Sequence, residues 1–107
     1  MIRLPKEHVA GGLPMRVSKG KLEGGRIFMD SQEIVIGWPH ANDHDLIDTL
    51  MHEFLESSMM QHNVRYGCQL EDVIFVFDHR TFKVLCSELA ATVLKLMKAN
   101  GYKGVKE

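Results

Sequence analysis

The chain has 107 residues, with 13 Lys and Arg against 14 Asp and Glu, and a formal net charge of -1. Hydrophobic residues make up 45% of it and charged residues 25%, which is the composition of an ordinary globular domain. No stretch approaches the roughly 18 consecutive apolar residues of a membrane-spanning helix, and the near-neutral charge argues against a nucleic-acid binder that relies on overall basicity. We therefore expect a single domain over residues 1–107. Because no apolar leader is visible at the N-terminus, we expect a cytoplasmic protein.

The charge is distributed unevenly along the chain. Residues 1–26 carry a net charge of +4 and residues 63–107 a net charge of +2. Residues 27–62 carry seven acidic groups and no Lys or Arg, and they include four of the six histidines, namely His40, His44, His52 and His62. A block of carboxylates and imidazoles without a competing cation is suited to holding a positively charged ion. This block is therefore the first candidate region for a cation-binding site.

The first third of the chain predicts short strands joined by turns. Leu13–Val17 is a candidate strand, and Gly24-Gly25 is a turn signal before an apolar run that starts at Arg26. A second run, Glu33–Trp38, is rich in β-branched residues and alternates weakly. Because the short polar stretch Asp30-Ser31-Gln32 connects the two runs, we expect them to pair as a compact hairpin.

Two helices are predicted in the rest of the chain. After a capping Asn42 or Asp43, residues 43–63 carry apolar side chains at helical spacing, namely Leu46, Ile47, Leu50, Met51, Phe54 and Leu55. After a short apolar strand, Val73–Phe77, and a capping Asp78, residues 79–99 carry a second stripe, namely Phe82, Leu85, Cys86, Leu89, Val93, Leu96 and Met97. This order predicts an α+β domain in which a small antiparallel or mixed sheet packs against two main helices.

The first helix contains the sequence His52-Glu53-Phe54-Leu55-Glu56. At about 100° per residue, His52 and Glu56 lie on one face of the helix, where an imidazole and a carboxylate together suit a divalent ion such as zinc. Glu53 lies about a quarter-turn away, where a carboxylate that is not a ligand could take a proton from a water on the metal. The alternative is that these residues only form the solvated face of an amphipathic helix.

Glu88 on the second helix is the candidate third ligand. It lies at the margin of the apolar stripe, where a carboxylate is costly unless it is paired or bound to a metal. A salt bridge from Glu88 to Lys95 or Arg65 is the alternative explanation.

The stretches GRIFMDSQEIVIG, TLMHEFLES and FKVLCSELAATVLKLM resemble the small zincin-like metallopeptidases of bacteria and phages. The resemblance covers roughly residues 25–99, and its specific part is the HExxH-type motif. It implies a minimal zincin-like fold in which His52 and Glu56 are metal ligands, Glu53 is the catalytic base and Glu88 is the third ligand. It also implies that a strand ahead of the motif helix forms the rim of a substrate cleft.

The chain departs from the family pattern at Glu56, where the motif has a second His. A set of one histidine and two glutamates carries two negative charges and weakens the Lewis acidity of a bound zinc ion. Two interpretations follow. The site could be a variant that takes zinc or a harder ion such as manganese, or the protein could be a degenerate zincin that is retained for binding.

Two other histidines are alternatives for the third ligand. His62 stands ten residues after His52, as in the longer HExxHxxGxxH pattern, but Met59 occupies the position where that pattern has a helix-breaking Gly. His79 follows the apolar strand and could face the motif helix, although a surface position at a helix start is the simpler expectation.

Three functions are weighed from the sequence. The leading hypothesis is a metal-dependent hydrolase that binds a peptide along the Ile34–Trp38 strand by β-augmentation, with Ile34, Ile36 and Trp38 as substrate-binding residues. The second is a non-catalytic accessory module that uses the same fold to hold a partner protein. The third is a DNA-associated protein that uses the basic N-terminal segment, but no helix-turn-helix pattern supports it.

Overall fold

In the computed structural model of the protein, residues 2–63, 65–67, 73–75 and 77–104 are described. The elements follow one another as four strands, a helix, two short strands and a second helix. Their bounds are β1 (Glu7–Ala10), β2 (Leu13–Gly20), β3 (Gly25–Phe28), β4 (Glu33–Gly37), α1 (Asp43–Gln61), β5 (Arg65–Gly67), β6 (Val73–Phe75) and α2 (His79–Ala99). The predicted α+β class, with a small sheet packed against two helices, is confirmed.

The first four strands form one mixed sheet in the order β1-β2-β4-β3. β3 and β4 pair antiparallel, which confirms the predicted hairpin, whereas β2 and β4 run parallel. β1 was not predicted, because its four residues, EHVA, carry too few β-branched side chains to stand out from the flanking sequence. The order makes β4 an interior strand and leaves β3 at an edge of this sheet.

The core lies between the sheet and the two helices. The sheet contributes buried side chains such as Met15, Ile34 and Ile36, and α1 contributes Leu50 and Phe54. Full burial of an aliphatic or aromatic side chain of this size contributes about 1.5–3 kcal/mol to folding. This small core therefore fixes the position of α1 against the sheet, and with it the position of the HE motif.

α1 begins where the sequence predicts. The side chain of Asn42 accepts a hydrogen bond of 2.8 Å from the amide of Asp45, which satisfies one of the free donors of the first turn. Of the predicted apolar stripe, Leu46, Leu50 and Phe54 are buried, whereas Ile47 is exposed. The buried stripe of α1 is therefore narrower than predicted.

α2 also begins at its predicted cap, Asp78, whose side chain accepts from the amide of Thr81 at 2.8 Å. Its packing differs from the prediction, since the predicted stripe falls partly outside the core. Leu85 and Leu96 are buried, but Phe82 and Met97 are among the exposed apolar side chains. Neither helix of the described chain is long and apolar enough to cross a membrane.

Candidate functional site

The HE motif places three polar side chains together on α1. The Nε2 atom of His52 lies 2.9 Å from Oε2 of Glu56 and 4.0 Å from Oε1 of Glu53. The His52 side chain is 67% exposed, the Glu56 side chain 23% and the Glu53 side chain 9%. We call these three residues the cleft cluster. Glu53, the candidate base, is the least exposed of the three side chains, and His52, the candidate ligand, is the most exposed. A metal ion in solvent therefore has direct access to the imidazole.

The cleft cluster lies beside the edge strand β3, and Gly25 is the residue that allows this approach. A Cβ atom added to Gly25 would lie 2.6 Å from Cγ and 2.8 Å from Cδ of Glu53, closer than van der Waals contact permits. The absence of a side chain at position 25 therefore lets the Glu53 carboxylate pack under the strand. No feature of the sequence other than the Gly24-Gly25 turn signal pointed to this role.

A groove runs along α1 on both sides of this contact. One hollow of about 320 Å³ is lined by Arg26, Ile27 and Met60 together with the cleft cluster. A second, of about 340 Å³, is lined by Glu23 and Asp48 and shares Gly25, His52 and Glu53 with the first. Because the two hollows share His52 and Glu53, the cleft cluster lies at the centre of the groove.

Glu88 does not join the cleft cluster. Its Oε2 atom lies 2.9 Å from Nε2 of His62 and accepts a hydrogen bond of 2.7 Å from the amide of Gly11. Burial disfavours the charged carboxylate, but the hydrogen bonds from His62, Gly11 and Ser58 outweigh that effect and hold the pKa of Glu88 below its ordinary value. Because its carboxylate is used in this way, Glu88 is not brought together with His52 and Glu56.

The histidines that were alternatives for the third ligand position are also placed elsewhere. His62 caps the C-terminal end of α1 and pairs with Glu88. His79 begins α2 on the surface, with its ring centre 6.4 Å from that of Phe82. Within residues 2–63, 65–67, 73–75 and 77–104, no group of three or more His, Cys, Asp or Glu side chains is arranged to hold a metal ion.

The side chains of the cleft cluster can be compared with the ligands of a catalytic zinc site. A catalytic zinc site takes three protein ligands and leaves one position for water. His52 and Glu56 fit two of these positions in chemistry and in proximity, and Glu53 fits the position of a base. The described residues thus bring two potential donor groups together, one fewer than such a site requires.

The substrate strand was assigned to the wrong place. β4 is paired with β2 on one side and with β3 on the other, so it has no free edge for a peptide. Ile34 and Ile36 are fully buried in the core, and Trp38 lies beyond the end of the strand with the Lys19 ammonium 4.0 Å from its ring centre. The prediction failed because the parallel β2–β4 pairing, which buries β4, has no local signal in the sequence. The edge that borders the groove belongs to β3.

A second polar cluster was missed. His8 on β1 is fully buried, with Nδ1 2.6 Å from Oγ1 of Thr92 and Nε2 2.9 Å from Oγ of Ser58. Its ring stacks on Phe54 with the centres 5.2 Å apart. The rim of this cluster is the pair of Glu88 and His62. We call His8, Ser58, Thr92, Glu88 and His62 the interior cluster.

The protonation state and hydrogen bonds of the interior cluster suit a structural role. Burial lowers the pKa of His8 to about 4, although the nearby Glu88 raises it in part. The His8 ring is therefore neutral at pH 7, with one nitrogen donating to a hydroxyl and the other accepting from a hydroxyl. The signal that could have identified it is the alternation of β1, in which His8 and Ala10 share the buried face.

Comparison with known proteins adds no independent assignment. No protein-family model matches the chain, and neither a curated protein nor a solved structure matches it significantly. The resemblance of the motif to zincin-like metallopeptidases therefore has to be judged on the cleft cluster and its groove.

Proposed function

We propose that the protein is a zincin-like, metal-dependent hydrolase of peptides, with His52 and Glu56 as metal ligands and Glu53 as general base. The observation that carries the proposal is that these three side chains meet at the centre of a groove bordered by β3, whose outer edge pairs with no other strand of the described residues. When bound, a divalent ion, zinc or manganese, supplies a Lewis acid that polarises a carbonyl group and lowers the pKa of water. The described residues provide no third protein ligand beside these two.

In this proposal the chain's own groups orient the peptide and move the proton. An extended peptide adds to the edge of β3 through main-chain hydrogen bonds, and its side chains enter the groove along α1. Glu53 takes a proton from the attacking water and delivers it to the leaving amine. The nearly buried Glu53 carboxylate, held under Gly25 and 4.0 Å from the His52 imidazole, supports this role.

The second candidate function is a catalytically degenerate module that binds a peptide without cleaving it. It is favoured by one observation, which is that the described residues hold no third ligand beside His52 and Glu56. The binding surface is the same β3 edge. In both proposals the protein acts in the cytoplasm, where a reducing environment is compatible with its exposed free thiol at Cys86.

The experiment begins with metal analysis of protein purified without chelator. We expect near-stoichiometric zinc or manganese and a rise in melting temperature when either ion is added back to stripped protein. Glu56→His should increase the affinity for zinc, because it restores the second histidine of the motif. A metal content near zero, with no thermal response to either ion, would exclude the metalloenzyme.

Cleavage of a peptide library, followed by mass spectrometry, then separates the two candidates. Glu53→Gln should abolish cleavage while it preserves the metal content, because it removes the base and leaves both ligands in place. Asp48→Asn is the matched control, since Asp48 lines the same groove outside the cleft cluster and should not be required. Metal binding without any cleavage by the unmodified protein would favour the degenerate module, and full activity of Glu53→Gln would refute the proposed base.

A further inference from the structure

Several basic side chains from the N-terminal part of the chain lie close together in the fold. Two hollows flank the segment that precedes β1, residues 2–6. The first, of about 530 Å³, lies between this segment and the Val17–Lys19 part of β2, and the second, of about 640 Å³, lies between the segment and the end of α2. The cations that line them are Arg3, Lys6, Lys19, Lys95 and Lys98. Glu7 is the one carboxylate among the described lining residues, and it pairs with Lys95 at 3.3 Å.

The segment is held in this position by α2. The side chain of Asn100 accepts a hydrogen bond of 2.7 Å from the Arg3 amide and donates one of 2.8 Å to the Arg3 carbonyl. This two-point contact anchors the main chain of the segment beside the end of α2. The first hollow is the gap between this segment and β2.

Among the described residues, the part of β2 that follows Val17 has no strand partner on its β1 side. The register of β1 with β2 ends at the pair of Glu7 and Arg16, and one further hydrogen bond, of 3.0 Å, joins the Val17 amide to the Lys6 carbonyl. Because alternate residues of a strand direct their main-chain groups to the same side, the N–H and C=O of Lys19 also point toward the gap. On the other side of β2, the carbonyl of Gly20 accepts from the Trp38 amide, as this alternation requires.

We propose that this gap, which we call the β2 gap, is a docking site for a short extended segment of a partner protein that carries acidic side chains. The segment adds to β2 beside Lys19 by β-augmentation. Its carboxylates pair with the exposed cations Arg3, Lys6 and Lys19, and an apolar side chain between them contacts the aliphatic lining formed by Ile2, Leu4 and Val17. This site is independent of the groove beside β3, which lies at the other edge of the sheet.

An acidic peptide fits the β2 gap better than a nucleic acid does. The lining of the first hollow holds no aromatic side chain, whereas single-stranded nucleic acids are bound through aromatic rings on which the bases stack. The Lys19 ammonium also lies over the ring of Trp38, 4.0 Å from its centre. A long polyanion would also meet the net charge of -7 carried by residues 27–62 of the same small domain.

The test uses fluorescence anisotropy with a labelled eight-residue peptide of alternating Glu and Val. We expect saturable binding that weakens as salt is added, and a loss of about tenfold or more in affinity for the double variant Lys6→Glu, Lys19→Glu. The matched control is Arg80→Glu, Lys83→Glu, which makes the same charge change at exposed positions of α2 outside both hollows. Thermal unfolding of both double variants checks that they remain folded.

Two further probes decide between β-augmentation and simple charge attraction. A peptide of the same sequence with every amide N-methylated should lose binding, because neither of its edges can then donate a hydrogen bond to the main chain of Lys19. Equal binding of the methylated and unmethylated peptides would overturn the proposal. So would tight binding of an oligothymidine under conditions where the Glu-Val peptide does not bind.

Discussion

The cleft cluster and the interior cluster use the same kinds of side chain in opposite environments. Each places histidine and glutamate on or against α1, and in each a histidine Nε2 lies 2.9 Å from a glutamate Oε2. His52 is mostly exposed, whereas His8 is fully buried and His62 is a quarter exposed. The difference shows that composition alone does not separate a site from a structural network. Access to solvent separates them.

The contrast also defines what each cluster is able to do. Every polar atom of the His8 ring has a partner inside the protein, so a ligand has no position to take. The imidazole of His52 is open to solvent and faces a groove. A metal ion or a peptide can therefore reach the cleft cluster without a change in the core, whereas the interior cluster joins β1, α1 and α2.

Of the effects that this contrast predicts, the largest is the loss of stability caused by His8→Ala. The substitution leaves a cavity beside Phe54 and removes one partner from each of two buried hydroxyl groups, those of Ser58 and Thr92. We expect the free energy of unfolding to fall by about 3–4 kcal/mol, which urea denaturation followed by circular dichroism measures directly. His44→Ala, at an exposed position near the start of α1, is the control and should leave the value unchanged. A loss below about 1 kcal/mol for His8→Ala would mean that the interior cluster is not a structural network.

Acid unfolding is expected to give the next largest effect. In the unfolded chain His8 binds a proton at its ordinary pKa of 6.5, whereas burial lowers the pKa in the native protein to about 4. Between these values the unfolded state binds more protons than the native state, so stability is lost as the pH falls from about 6.5 to 4. One such group accounts for about 3 kcal/mol. The depressed pKa of Glu88 acts in the same direction at lower pH, since its carboxylate is stabilised only in the native protein.

Urea denaturation at a series of pH values checks this expectation. In His8→Gln the group no longer titrates but can still bond to a hydroxyl, so its stability should depend less on pH across the window from 6.5 to 4. An identical pH dependence of the unmodified protein and His8→Gln would assign the effect to other groups.

The sequence predicted the parts of the fold that depend on local signals. The start of α1 was narrowed to Asn42 or Asp43 and the cap of α2 was identified as Asp78, because a short polar side chain before an apolar periodic run has a specific local role. The hairpin of β3 and β4 was predicted because its connection is short. The order β1-β2-β4-β3 was not predicted, because a parallel pair of strands is separated in the chain and leaves no mark on either strand.

The same distinction applies to the candidate site. His52, Glu53 and Glu56 were brought together correctly, because spacing along one helix determines their geometry. Glu88 was assigned to this set on the ground that a carboxylate near an apolar face needs a partner. It does have partners, but they are His62 and the amide of Gly11, and the approach of Gly11 to α2 depends on the tertiary packing of β1. A single sequence defines the need for a partner without defining which partner meets it.

The smallest predicted effect, the change in stability caused by His52→Ala, provides the most direct test of the comparison between the two clusters. His52→Ala should change the free energy of unfolding by no more than about 0.5 kcal/mol, because the side chain is mostly exposed and water can replace it beside Glu56. His62→Ala is the matched variant, since it also removes a histidine 2.9 Å from a glutamate. There the Glu88 carboxylate is largely buried, and the loss should be about 1–2 kcal/mol. Urea denaturation of the two variants at pH 7, without added metal, measures the difference. If His52→Ala were the more destabilising of the two, the cleft cluster would have a structural role. The proposal that its residues form an accessible metal site would then fail.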